Sequence, residues 1–166
     1  MAAASASAAP DRHIIPVNAL FHDDGTVVPT AMECETIDGV AGVAMEGHAT
    51  FTGKWQGAAD YKACFYRGLP NLPLGTEYFY GTETFTGSVD GCGTGSMTYK
   101  LSDGYVSPNV DPVTGQRSGQ QIWQISPGGG SGDLAAVNSG SGGARFTISA
   151  VGENAGTFTG ELRCQP

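Results

Sequence analysis

Residues 77–101 read EYFYGTETFTGSVDGCGTGSMTYKL. Phe79, Gly81, Glu83 and Phe85 fall on one side of a period-two alternation, and Tyr78, Tyr80, Thr82 and Thr84 on the other. After a glycine-rich turn, Met97, Tyr99 and Leu101 share one side, opposite Thr98 and Lys100. Aromatic and β-branched residues repeating every second position mark half-buried strands. The stretch therefore predicts a long antiparallel hairpin. One residue of its inward set, Glu83, is a carboxylic acid.

Composition extends this reading to the whole chain. The 166 residues suffice for one domain with a core. The 26 glycines are spread among alternating segments rather than pooled in one tract. Glycine within strands marks bends, bulges and close backbone approach. Strands so rich in it point to a strongly curved sheet, a barrel or a sandwich. The net charge is −8, with eight Lys plus Arg. Phosphate backbones need cationic contacts, so nucleic acid is not an expected partner, and an anionic membrane surface is disfavoured for the same reason. No apolar run reaches the roughly 20 residues of a membrane span.

Taken in order, residues 1–12 (MAAASASAAPDR) carry two A-x-A triplets, which fit a signal-peptidase site. They read as the tail of a removed export signal or as an Ala/Ser-rich terminus, disordered in either case, before a single domain over 13–166. His13–Val17 is a short strand, and His22–Gly25 a turn. A strand over 46–56 and another over 61–67 form a hairpin around a turn at 57–60. A loop at 68–75 leads to the central hairpin. A long connection is expected at 103–119, long enough to gate a site. Residues 121–126 form a strand, 133–137 a short one, and 138–143 a glycine-serine turn. A last hairpin pairs 144–151 with 156–163. The count is seven to nine strands with no amphipathic helix. Short connections favour up-and-down neighbours. The tetrapeptide Thr-Phe-Thr-Gly occurs at 50–53, 84–87 and 157–160, with Phe placed to fill an interior and Gly to permit tight coiling. The expected fold is all-β: a closed, up-and-down antiparallel barrel of about eight strands.

The stretches FTGKWQG (51–57), ACFY (63–66), GTETFTG (81–87) and GCGTG (91–95) resemble secreted actinobacterial proteins of the allene oxide cyclase-like barrel superfamily, shared with dirigent proteins and spirotetronate cyclases. The resemblance covers about residues 45–165. It implies an eight-stranded calycin-like barrel with an apolar pocket, acting without a cofactor on a reactive substrate. It also implies a carboxylate inside the barrel, a part Glu83 would play. Gly53-Lys54-Trp55 resembles the Gly-x-Trp of lipocalins.

An interior carboxyl loses solvation, which raises its pKa and suits it to general acid–base work. The alternative is a satisfied Glu at a barrel rim. A tyrosine hydroxyl, Tyr99 first, is a donor to orient a carbonyl or to bond Glu83. Phe51, Trp55, Tyr61, Phe65, Phe79, Phe85 and Met97 share the inward phase and either line a pocket or fill a dry core. Trp123 reads as packing, and His48 as a surface residue. Cys34, Cys64, Cys92 and Cys164 lack metal-site spacing, and read as two disulfides in a secreted protein, with three pairings open. No metal site is expected. A small apolar molecule is the expected ligand or substrate, and a homo-oligomer stays open. Three functions compete: a cofactor-free isomerase or cyclase acting on a polyene or polyketide-like substrate, a lipocalin-like binder, and a structural barrel with a filled interior.

Overall fold

The computed structural model describes residues 13–164; the expected export remnant, 1–12, lies outside them. Eight long strands make up the body. They are β1 (His13–Asp23), β2 (Val43–Gly53), β3 (Trp55–Arg67), β4 (Glu77–Val89), β5 (Gly93–Val110), β6 (Arg117–Ile125), β7 (Ser139–Ile148) and β8 (Asn154–Cys164). Each pairs antiparallel with the next in sequence, from β2 through β8. β1 then pairs along its length with β8 and over Ala19–His22 with β2, so the ring closes. This is the closed, up-and-down, eight-stranded barrel that the alternation predicts.

The central hairpin falls where expected, with Glu83 opposite Tyr99 and Phe85 opposite Met97, and these four, Phe79 and Leu101 all buried. The three Thr-Phe-Thr-Gly repeats converge. Phe51 packs edge-to-face on Phe85 at 5.7 Å and on Phe158 at 5.5 Å between ring centroids. Trp55 lies 5.1 Å from both Phe85 and Phe158. With Trp123, Met97 and Leu162 these rings fill one end of the barrel. Leu134, fully buried on a 3₁₀ turn (Asp133–Ala136), adds to the same core.

Several local expectations are corrected. The first strand runs on to Asp23, because Val17, Ala19, Phe21 and Asp23 continue one inward alternation. The β2–β3 reversal falls at Gly53 and Lys54, not at 57–60: Gly53 takes φ 96°, which a side chain disfavours. Residues 57–60 are strand, with Ala59 opposite Ala49. The expected gating loop at 103–119 is mostly strand. Asp103 adopts φ 48° and bulges β5, which then continues to Val110, leaving six residues, 111–116, as the connection. Residues 133–137, expected as a short strand, hold the 3₁₀ turn Asp133–Ala136 instead. Residues 139–143 are strand rather than turn: Gly142 faces Gly160, and a Cβ at either would strike the Trp123 ring.

The connection between β1 and β2, residues 24–42, lies outside the barrel over Cys64, Tyr66 and Leu69. It is fixed there by the Cys34–Cys64 disulfide and by the Tyr66 hydroxyl, which donates to the Glu35 carbonyl at 2.7 Å. The other disulfide, Cys92–Cys164, links the β4–β5 turn to the end of β8 with 5.5 Å between Cα atoms. That turn leans across the filled end until Gly91 touches Ile15 of β1. A bond joining residues 72 apart in sequence restricts the unfolded chain by about 4 kcal/mol in the loop-entropy account. Replacing both Cys92 and Cys164 with Ser is expected to lower the unfolding free energy by about 2–5 kcal/mol in urea titration. A variant as stable as the parent would show that the packed end needs no staple.

Candidate functional site

Opposite the filled end the barrel is hollow. The cavity measures about 520 Å³ and opens between the connections at 24–42, 68–76, 111–116 and 149–153. Its size comes from small inward residues. Ala49 and Ala63 line it, and Gly47 and Gly81 carry no side chain where a Cβ would strike Tyr61 and Ala63 of the adjacent β3. Its walls are aromatic. Phe65 stacks on Phe79 at 5.3 Å, Phe79 lies 6.3 Å from Phe146, Phe146 6.2 Å from Phe21, and Phe21 6.0 Å from Phe51.

Tyr61 and Glu83 stand in this apolar wall, and Tyr99 lies buried below it. Tyr61 of β3, Glu83 of β4 and Tyr99 of β5 are direct cross-strand neighbours. The Tyr61 ring lies over Gly47, where any Cβ would collide with it. From there its hydroxyl donates to Asp23 Oδ2 at 2.7 Å, and Asp23 Oδ1 accepts from the Gly25 amide at 2.7 Å. Asp23 is thus satisfied although buried. Glu83 is not. It is 5% exposed, lines the cavity, and has no basic side chain within ion-pair distance among the described residues. Burial pushes its carboxyl up to about 8; the Tyr99 hydroxyl opposes this, and the charges of Asp23 and Asp60 add to it. Tyr99 is close enough to influence Glu83, yet its buried hydroxyl makes no hydrogen bond of ordinary geometry. Burial also pushes both phenols up, with Asp23 the next cause at Tyr61 and Glu83 at Tyr99. Near neutral pH Glu83 therefore carries its proton, with a phenol on the strand to either side.

At the mouth, Glu77 binds two guanidinium groups through the same oxygen, Arg117 at 2.6 Å and Arg67 at 3.2 Å. Arg117 also donates to the Ser107 and Gly75 carbonyls. Glu77 and Glu83 are six residues apart along β4, roughly 20 Å in an extended strand.

Of the residues singled out from sequence, the cavity brings together Phe51, Tyr61, Phe65, Phe79 and Glu83. Trp55, Phe85, Met97 and Tyr99 are fully buried in the core below it and are absent from its lining. His48 is on the outer face, bonded to Asp60 at 2.9 Å. Asp23, Arg117 and the wall rings Phe21, Phe146 and Phe158 are among the lining residues that sequence reasoning missed. The signal for Asp23 was present: it is the next inward position after Val17, Ala19 and Phe21, hidden by the Asp-Gly turn signal beside it. Among the described residues no three His, Cys, Asp or Glu side chains cluster to hold a metal ion.

Fold and site together define a closed eight-stranded β-barrel with an internal, mouth-open cavity. A solved structure of a protein with unknown function from the DUF3224 family of Shewanella oneidensis MR-1 is similar to this chain. The TM-score is 0.57 at 15% identity, over 93% of this chain and 99% of that one. At that identity the likeness carries the fold alone. No protein-family model matches the chain, and no curated protein matches it.

Two predictions follow from this geometry. In the unfolded chain Glu83 titrates near 4.3, so between that value and about 8 the folded state holds the extra proton. Stability then falls as pH rises through this window and levels off above it, by on the order of a few kcal/mol. Glu83→Gln is expected to abolish that slope in melts from pH 5 to 9; an unchanged slope would refute the assignment. Gly47→Ala is expected to displace the Tyr61 ring and cost about 1–3 kcal/mol, measurable by chemical denaturation.

Proposed function

We propose that this protein is a secreted barrel that binds an apolar small molecule in its interior. The observation that carries this reading is the cavity of about 520 Å³, walled by phenylalanines and open at one end. Binding pockets have this size and this sparse polar decoration, and a structural barrel with a filled interior would leave no such space. The two disulfides support an oxidising, extracellular setting. No cofactor is needed for the reading.

Glu83 favours a second reading, a cofactor-free cyclase or isomerase. A carboxylic acid kept protonated inside an apolar cavity is a proton donor to a bound polyene or polyketide-like substrate, or an acceptor once ionised. Tyr61 is the neighbouring donor. The resemblance of residues 51–57, 63–66, 81–87 and 91–95 to allene oxide cyclase-like barrels supports the same reading.

The neutral fluorophore N-phenyl-1-naphthylamine tests the first reading. Saturable binding at one site is expected. Ala63→Phe, which fills the bore beside Tyr61 and Phe65, is expected to weaken it at least about tenfold without loss of fold by circular dichroism. Absence of saturable binding to the unaltered protein would sink the proposal. Catalysis is separated from binding by Glu83→Gln: lost turnover at retained affinity marks an enzyme.

A further inference from the structure

We propose that the ligand is a lipophilic organic cation, an amine or quaternary ammonium group on an apolar body, with its charged centre seated between Glu83 and Asp23 and against the phenylalanine wall. This deepens the binding reading and rests on it. Two independent features of the cavity converge on a cation. The first is an unbalanced pair of carboxyls. Asp23 and Glu83 are both at least nine-tenths buried, both flank Tyr61, and both line the cavity. Neither forms an ion pair among the described residues. The second is the wall itself. Phe65, Phe79, Phe146, Phe21, Phe51 and Phe158 form an unbroken succession of rings, each 5.3–6.3 Å from the next between centroids. Aromatic walls attract a cation through their ring quadrupoles, most strongly where water is excluded, and quaternary ammonium ligands are recognised in such cages.

The other groups around Glu83 do not compete for the role of counter-ion. Tyr61 on β3 and Tyr99 on β5 are its cross-strand neighbours and are neutral phenols. Asp23 on β1 and Asp60 on β3 add negative charge. The arginines among the cavity residues, Arg67 and Arg117, stand at the mouth, bound by Glu77. An anionic ligand head driven to the depth of the cavity would meet two acids and no cation. An ammonium group would meet both acids and would complete the pair that the fold leaves open.

A consequence is proton release. Glu83 carries its proton in the free protein and gives it to solvent when a cation binds, so the carboxylate and the ammonium form a pair. Affinity for a cation then rises with pH until Glu83 is ionised in the free protein as well, near 8, and affinity for a neutral ligand does not.

Isothermal titration with (4-phenylbutyl)trimethylammonium and displacement of N-phenyl-1-naphthylamine by its uncharged tert-butyl isostere test this. The cation is expected to bind about tenfold or more tightly at pH 8.5 than at pH 6. About one proton should be released per cation at pH 7, read from buffers of different ionisation enthalpy. The isostere should show neither effect. Glu83→Gln should remove the pH dependence of cation binding and leave the isostere unchanged. An isostere that binds as well as the cation at every pH, or a proton count of zero, overturns the proposal even if Glu83→Gln fails to fold. Fluorophore binding without cation binding overturns it and leaves the apolar-ligand reading standing. Failure of all three probes overturns both.

Discussion

The Trp55 indole holds this barrel to its shape. It is fully buried and packs on Phe51, Phe85, Tyr99, Trp123 and Phe158, which come from β2, β4, β5, β6 and β8. Trp123 stacks on Phe158 at 4.9 Å and 15°, and donates its ring N–H to the Thr159 carbonyl. Side chains this large bury 150–250 Å² each and dominate the energetics of a core. A sheet of eight strands brings these rings together only by closing, because β2 and β8 are neighbours only through β1. The β1–β2 seam, paired over four residues, is therefore held from within as well as by its ladder. The indole N–H of Trp55 has no hydrogen-bond partner among the described residues, a cost of about 1–3 kcal/mol that the surrounding aromatic contacts outweigh.

Because one end is packed this way, the other can afford to be hollow. The two buried acids differ in how the fold treats them. Asp23 accepts from a backbone amide and a phenol, so both of its oxygens are satisfied by the fold. Glu83 has the same burial and no such support, and protonates instead of remaining charged. A glutamine would fill the same space without the pH-dependent penalty. Retaining an acid at this position lowers stability as pH rises from about 4.3 to about 8, which is the pattern of a residue placed for chemistry or recognition rather than for folding.

The architecture was legible in the sequence because its signal is the simplest one, strict alternation. The inward phase of Phe79, Glu83, Phe85, Met97 and Tyr99 needs only a two-residue period. The errors at 57–60 and 138–143 share a cause: glycine has two uses, and the chain around it looks alike in both. At Gly53 it supplies a backbone conformation for a turn. At Gly142 and Gly160 it supplies room for Trp123, inside strands. Sequence pattern reads 138–143 as a turn because the ring that needs the space is almost twenty residues away. The same ambiguity put a turn at 57–60. Depth was illegible altogether. Inward phase places Trp55, Phe85 and Met97 in the same class as Phe51, Phe65 and Phe79, but position along the barrel axis decides which of them line the cavity. The disulfide pairing was illegible too, since it depends on the outer segment 24–42 crossing to Cys64.

The cavity is hollow for a reason that the closed end makes plain. Both ends are built by rings laid over glycines of nearby strands: Trp123 over Gly142 and Gly160 at one end, and Tyr61 over Gly47, Phe79 over Gly104 and Phe146 over Gly119 at the other. At the filled end the rings include two indoles, and they meet in the middle. Toward the mouth they are phenyl rings laid flat on the wall, and the positions between them are Ala49, Ala63 and Gly81. Each ring is thereby held to the sheet by the strand beside it and kept out of the bore. Interiors otherwise close to near-crystalline packing density, so an open volume survives only where the wall itself holds its side chains back. The glycine–aromatic pairs do this at Tyr61, Phe79 and Phe146, and they leave Glu83, beside Tyr61, lining the bore as an acid that a ligand would meet.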